Sequence, residues 1–182
     1  VCLSPNEVIV HGIPDERKVA EGDIISLDAG AIYEGWHADA ALTFPVGDIP
    51  AEVQALLDAT EQALWAGIEA SVPGARLGDV GHAIEAVAIE AGLGVVREYT
   101  GHGIGRQMHE EPQVLNYGEP GRGMKLKAGM AIAIEPMFNL GGEATRVLDD
   151  GWSVVTADGS LSAHFEHTVA ITKQGPEVLT VL

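Results

Sequence analysis

An α+β fold, with helices laid on one face of a mainly antiparallel sheet, is the architecture this sequence predicts. Three features predict it. A long β-rich segment folds back at Glu34-Gly35, two amphipathic helical stretches follow, and the rest is short apolar runs separated by Gly- and Asp-rich turns.

The first feature is a hairpin. Asp23–Ala29 continues through Gly30–Glu34, turns at Gly35 and returns over Trp36–Val46, with Tyr33 expected opposite Trp36 and Asp28 opposite Ala41. The first helix opens at Pro50-Ala51-Glu52, with proline and an acid in its first turn. Val53, Leu56, Leu57, Leu64 and Ile68 recur at helical spacing and define its inner face, and Pro73-Gly74 ends it. A second helix is expected from about Leu77 to Ala91. Val80, Ile84, Val87 and Ala88 share one side, and Gly92 stands at the C-terminal cap. Strands are then expected over Met130–Met137, Arg146–Leu148, Trp152–Thr156, Phe165–Thr172 and Val178–Val181.

With 182 residues and 46% apolar composition, the chain is the size of one domain, and all of 1–182 is read as a single unit. No apolar run approaches the roughly 20 residues of a membrane span, and no secretory signal is visible. A net charge of −17, with only ten Lys and Arg, argues against nucleic acid as a partner. Cys2 is alone, so no intrachain disulfide forms, which fits a cytoplasmic location. The opening VCLSPNEVIVHGIP has no cap, turn or Met start, and reads as a chain lacking an N-terminal segment.

Two segments read alike. Asp28 closes an apolar run six residues after Gly22, and Glu135 closes another six residues after Gly129. Each half then has a second acid at the start of a strand, Asp39 before AALTFPVG and Glu166 before HTVAITKQG. Either two β-segments agree by chance, or an internal repeat points four carboxylates at one axis. In the hairpin, Asp28 and Asp39 are diagonal neighbours on one face, with Cβ atoms roughly 7 Å apart. They either both face water, or share a cation or protons. Glu135 and Glu166 adjoin apolar strands with no basic partner nearby, a placement that burial permits only with pairing or a metal. Four carboxylates and one or two histidines suit two divalent ions, with Mn²⁺, Fe²⁺ or Co²⁺ favoured by oxygen ligation and Zn²⁺ compatible. In EYTGHGIGRQMHEEP, His102 lies between glycines that permit close backbone approach. The segment is neither a phosphate loop nor an HExxH helix.

These residues also carry a family resemblance. NEVIVHGIP, DAG…HADAALTF, GHGIGRQMHEEPQV, AIAIEPM and DGWSVVTADGSLSAHFEHTVAIT together resemble the successive blocks of bacterial type I methionine aminopeptidases, across essentially the whole chain. The resemblance implies a pita-bread fold, a pseudo-twofold antiparallel sheet covered by helices on one face. It implies a metal-dependent aminopeptidase that removes the initiator methionine when the next residue is small and uncharged. A metal-bridging hydroxide would attack the first peptide bond. Prolidase, aminopeptidase P and creatinase share that fold and form the alternative, and a short His102–Glu166 interval favours type I over type II.

The implied roles follow from the matched positions. Asp28, Asp39, His102, Glu135 and Glu166 hold the two ions, with Asp39 and Glu166 bridging. Glu135 also shuttles the proton, His109 hydrogen-bonds the substrate carbonyl, and His11 contacts the scissile amide. Cys2, Met108 and Trp152 line the methionine pocket, where Met108 replaces the family's usual aromatic. Two further aromatic residues of that pocket are expected before Cys2. Asn6, Val8 and Ser162 resemble a monovalent-cation site of some relatives. The expected partners are N-terminal methionyl peptides met near the ribosome, and the expected state is a monomer without nucleic acid or membrane. His164 is expected to support Glu166 without being a ligand, while His37 and His82 are expected in water and Met124 in the core.

Overall fold

The computed structural model describes residues 1–181. In chain order they form β1 (Cys2–Pro5), β2 (Val8–Val10), β3 (Ile24–Tyr33), β4 (Trp36–Pro45), α1 (Ala51–Ala70), α2 (Leu77–Ala91), β5 (Gly94–Val95), β6 (Gly101–Gly103), β7 (Glu110–Val114), β8 (Ala131–Ile134), β9 (Met137–Asn139), β10 (Thr145–Val147), β11 (Val154–Thr156), β12 (Ser162–His164), β13 (Glu166–Thr172) and β14 (Gly175–Val178). The principal sheet runs β1-β3-β4-β13-β8-β6-β7, and β14 pairs with β13 beyond the point where β4 leaves it. Every pairing in it is antiparallel. Two three-stranded sheets, β10-β11-β2 and β12-β9-β5, complete the fold.

The β3–β4 register is the one the turn predicts, with Tyr33 opposite Trp36 and Asp28 opposite Ala41. Glu34 and Gly35 both take positive φ, 50° and 77°, the conformation whose twist matches the flanking strands. α1 buries the predicted face of Val53, Leu56, Leu57, Leu64 and Ile68, and α2 buries Val80, Ile84 and Ala88. Together they cover Ile132, Ile134, Val169 and Ile171 of β8 and β13 in one apolar core. α1 stops at Ala70, where the Ser71 hydroxyl donates to the Ile68 carbonyl, and Gly92 caps α2 at φ 68°.

The repeat is real in the backbone. β3-β4 and β8-β13 flank a pseudo-twofold axis between β4 and β13. Their closing hydrogen bonds correspond one for one: Gly22 N–H to Val46 O beside Gly129 N–H to Ile171 O, and Val46 N–H to Asp23 O beside Ile171 N–H to Met130 O. Gly22 and Gly129 sit at matching turns with φ 93° and 98°.

The structure corrects several expected elements. The strand expected over Met130–Met137 is two strands in different sheets, because Pro136 has no N–H to continue the ladder. The last strand is Gly175–Val178, three residues earlier than expected at each end, since the turn after Thr172 is tighter. β1, β2, β5, β6 and β7 arise in segments with no periodic signal long enough to show them. Met124 is exposed, not core, and His37 is half-buried, not in water.

Gly81 on α2 lies against the chain at Leu115–Tyr117, and a Cβ there would run into the Tyr117 and Leu115 carbonyls. Helix propensity alone favours Gly→Ala by about 1 kcal/mol. Backbone cannot rotate away, so Gly81→Ala is expected to destabilise by about 1–3 kcal/mol instead. A urea midpoint equal to or above that of the parent chain would refute this packing.

Candidate metal centre

Strand register alone brings the acids together. Across one face of the sheet, Asp28 pairs with Ala41 and Ala41 with Glu166. One step beyond the last β13–β8 pair, His167 with Ile134, Glu135 falls opposite Glu166. The next row on the same face holds Gly30 opposite Asp39 and Ala133 opposite both Thr168 and His102. Residues two apart in a strand share a face, so all five predicted ligands lie on the side away from the helices. Thr168 joins the two halves here: its hydroxyl accepts from Asp39 N–H and donates to Asp39 O, both at 2.8 Å.

The five side chains converge. Asp39, His102 and Glu166, all buried, each offer a ligand atom within 4.8 Å of the others. Asp28 and Glu135 line the same cavity of about 210 Å³, together with Val10, His11, Glu98, Tyr99, Thr100, His109 and His164. Among the described residues, no lysine or arginine lines it.

Hydrogen bonds set the state of each group. His102 Nδ1 lies 2.8 Å from the Gly103 carbonyl, which can only accept. Nδ1 therefore carries the proton, and the lone pair of Nε2 faces the cavity, 3.5 Å from Glu135 Oε1. Burial lowers the His102 pKa and keeps the ring neutral. The carboxyls move the other way. Burial and the neighbouring Asp39 raise Asp28 to about 6, and burial raises Asp39. Burial and the surrounding acids push Glu135 and Glu166 well above the ordinary carboxylate range. Glu166 is only 2% exposed, and its Oε1 has no hydrogen-bond partner. Crowded anions, an orphaned buried oxygen and a presented imidazole lone pair make a donor set that fits divalent cations.

The predicted substrate-side residues surround this cavity. His11 and His109 line it directly, and the His109 ring stands edge-on to His102 with centroids 4.3 Å apart. His11 holds a left-handed φ of 63°, unusual for a non-glycine, and its ring stacks on Trp152 at 4.9 Å and meets Tyr99 edge-on at 5.9 Å. Cys2 pairs in register with Asp28 on the outer strand, half-buried. Met108 packs onto Gly30, where a Cβ would overlap its Cε. Cys2, Met108 and Trp152 thus adjoin the acid-lined cavity without lining it.

Sequence reasoning missed Val10, Glu98, Tyr99 and Thr100 in the cavity wall. Only the proximity of Tyr99 and Thr100 to Gly101-His102 could have indicated them. His164 is fully buried with neither ring nitrogen hydrogen-bonded, Nε2 lying 3.7 Å from Glu135 Oε2, and burial lowers its pKa to about 3. Asn6 and Ser162 do meet, Ser162 N–H donating to Asn6 O. The Asn6 side chain is already engaged with Ile24 N–H and Asp23.

The chain can now be set beside known proteins. A model of metallopeptidase family M24 matches residues 1–173. The chain is 50% identical over 182 residues to a methionine aminopeptidase of Clostridium perfringens, covering 100% of this chain and 73% of that one. It overlays a crystal structure of the methionine aminopeptidase from Thermotoga maritima with a TM-score of 0.97 at 48% identity, covering 100% of this chain and 73% of that one. The prolidase from Pyrococcus furiosus, 24% identical, shares the fold with a TM-score of 0.78 over 100% of this chain and 48% of that one. The fold is the pita-bread fold. No helix among the described residues is long and apolar enough to cross a membrane. With the family model matched over nearly its whole length, this chain belongs to metallopeptidase family M24.

Proposed function

We propose that the protein is a methionyl aminopeptidase that hydrolyses the first peptide bond of polypeptides beginning with methionine followed by a small, uncharged residue. One observation carries the reading: the four acids and the histidine of the motif blocks converge in one cavity, in a chain half identical to named methionine aminopeptidases.

Asp28, Asp39, His102, Glu135 and Glu166 would hold two divalent ions of the Mn, Fe, Co or Zn type, four carboxylates balancing four positive charges. Bound there, the ions supply an acidified water and polarise the scissile carbonyl. Glu135, by its place among the acids, would take a proton from the attacking water and pass it to the leaving amine. His109 donates a hydrogen bond to the substrate carbonyl as its oxygen gains charge. His11, fixed between Trp152 and Tyr99, orients the scissile amide. Cys2, Met108 and Trp152 offer the methionine side chain soft, apolar contacts. Asn6, Val8 and Ser162 would hold a monovalent cation through backbone carbonyls and the Ser162 hydroxyl. The substrates would be nascent chains near the ribosome, met by a cytoplasmic monomer.

Three outcomes are expected. Free methionine is released from Met-Ala-Ser with Mn²⁺ or Co²⁺, while Xaa-Pro peptides stay intact; no release with any metal, or preferential Xaa-Pro cleavage, overturns the reading. Asp39→Asn removes metal binding and activity together, with a loss beyond the roughly 10–100-fold that a supporting partner alone would give. Full activity in that variant would refute the ligand set. The third outcome concerns protons. The raised carboxyl pKa values, about 6 for Asp28, mean that metal-free protein retains protons on these acids near pH 6, while burial shifts His102 toward its neutral form. Metal must displace them, so binding releases protons at pH 6 and weakens as pH falls from 7 to 5. Calorimetry of Mn²⁺ binding in buffers of different ionisation enthalpy reads the release directly, and finding none would refute the protonated cluster.

A further inference from the structure

The tip of the β3–β4 hairpin extends well past the core. Trp36 is 55% exposed there and Tyr33 77%, neither covered by a helix. The tip is occupied on one side by the loop between β6 and β7, the same loop that carries Met108 and His109. Three contacts join them. The Arg106 guanidinium lies over the Trp36 ring with its carbon 3.8 Å from the centroid. Arg106 Nη1 donates to the Glu34 carbonyl at 3.1 Å, and His37 N–H donates to the Gly105 carbonyl at 2.8 Å.

Inside the loop the chain is braced further. Gly105 N–H donates to Gln107 O at 3.1 Å, and Gln107 N–H to Glu110 Oε1 at 2.8 Å. The next residue, Met108, seats on Gly30, which lies directly opposite Asp39 in the hairpin. One rigid strand pair therefore presents two metal-ligand candidates and also fixes the loop above them.

The geometry points to the Trp36–Arg106 stack as a positioning clamp that holds Met108 and His109 in place over the acid-lined cavity. Its effect on catalysis rests on the aminopeptidase reading above; its effect on the loop does not. Neither clamp residue lines the acid-lined cavity; Arg106 borders the adjoining one beside His102 and His109, and Trp36 lines neither, so Trp36 acts through the loop. The clamp predicts a defect in both binding and chemistry, because Met108 meets the methionine side chain and His109 the carbonyl oxygen that gains charge. Losing the stack lets Met108 and His109 sample positions off the substrate, while Asp28, Asp39, His102, Glu135 and Glu166 keep their strands.

Two measurements test it on the whole chain. With Met-Ala-Ser and Mn²⁺, Trp36→Ala and Arg106→Gln are each expected to lower kcat/KM roughly three- to tenfold, with Mn²⁺ affinity held within about twofold. Trp36→Phe and Arg106→Lys should recover most of the loss, and the double variant should be no worse than Arg106→Gln, which already removes the stack together with the Glu34 hydrogen bond. An unchanged kcat/KM, or a double variant markedly worse than Arg106→Gln, overturns the catalytic part. Independently of activity, hydrogen exchange at the amides of His37, Gly105 and Gln107 should accelerate roughly three- to tenfold in Trp36→Ala. Unchanged exchange there overturns the clamp itself, whereas a parent chain that releases no methionine overturns only the reading on which its catalytic role depends.

Discussion

Four carboxylates turned toward one cavity, without a lysine or arginine among its described lining residues, are the constraint to which the rest of the structure answers. Left as anions, they would repel across a few ångströms in a poorly hydrated space; left protonated, they would have no chemistry to do near neutral pH. Divalent cations resolve both difficulties, and the surroundings are arranged for them. His102 is locked in the tautomer that presents a lone pair, and Thr168 ties Asp39 to the strand carrying Glu166. Even the cores are divided accordingly. α1 and α2 bury one face of the sheet in hydrocarbon, leaving the opposite face free for charge.

Much of this is written at short range. The two-residue turn at Glu34-Gly35 sets a register, and the register puts Asp28 and Asp39 on one face before any tertiary structure is considered. The helices are equally legible because their apolar spacing is long enough to define a face. What failed was set by tertiary contact. β6, with the sequence Gly-His-Gly, has no strand propensity of its own and is a strand because β7 and β8 pair with it. The cavity residues Val10, Tyr99 and Thr100 sit on short segments with no charge or periodicity to single them out. Glu135 was legible as an unusual buried acid, but not the break beside it. Pro136 ends β8 and sends the chain into another sheet, which leaves Glu135 at the mouth of the cavity and not inside a ladder.

The internal repeat explains why two strand pairs of different sequence do equivalent work. Each half contributes one acid from its first strand, Asp28 within β3 and Glu135 just past β8, and one near the start of its second, Asp39 in β4 and Glu166 in β13, and the pseudo-twofold axis between β4 and β13 relates the pairs. The halves differ in what they add around that common plan. The first extends its hairpin outward to meet the loop of Met108 and His109. The second interrupts its strand at Pro136 and supplies Glu135. Symmetry thus accounts for the acids, and departure from symmetry for what surrounds them.

The pairing of Ala41 with Glu166 joins strands whose partners are far apart in the chain. Such a contact has high contact order: its loop-closure entropy is met only after the intervening helices and β8 have been made and packed. At synthesis rates of about 5–20 residues per second, Glu166 follows Ala41 off the ribosome by on the order of ten seconds. During that interval Asp28 and Asp39 can form their hairpin alone, but the other two carboxylates do not yet exist. The complete set of candidate ligands is therefore a late product of folding, and its formation reports that the two halves of the molecule have met.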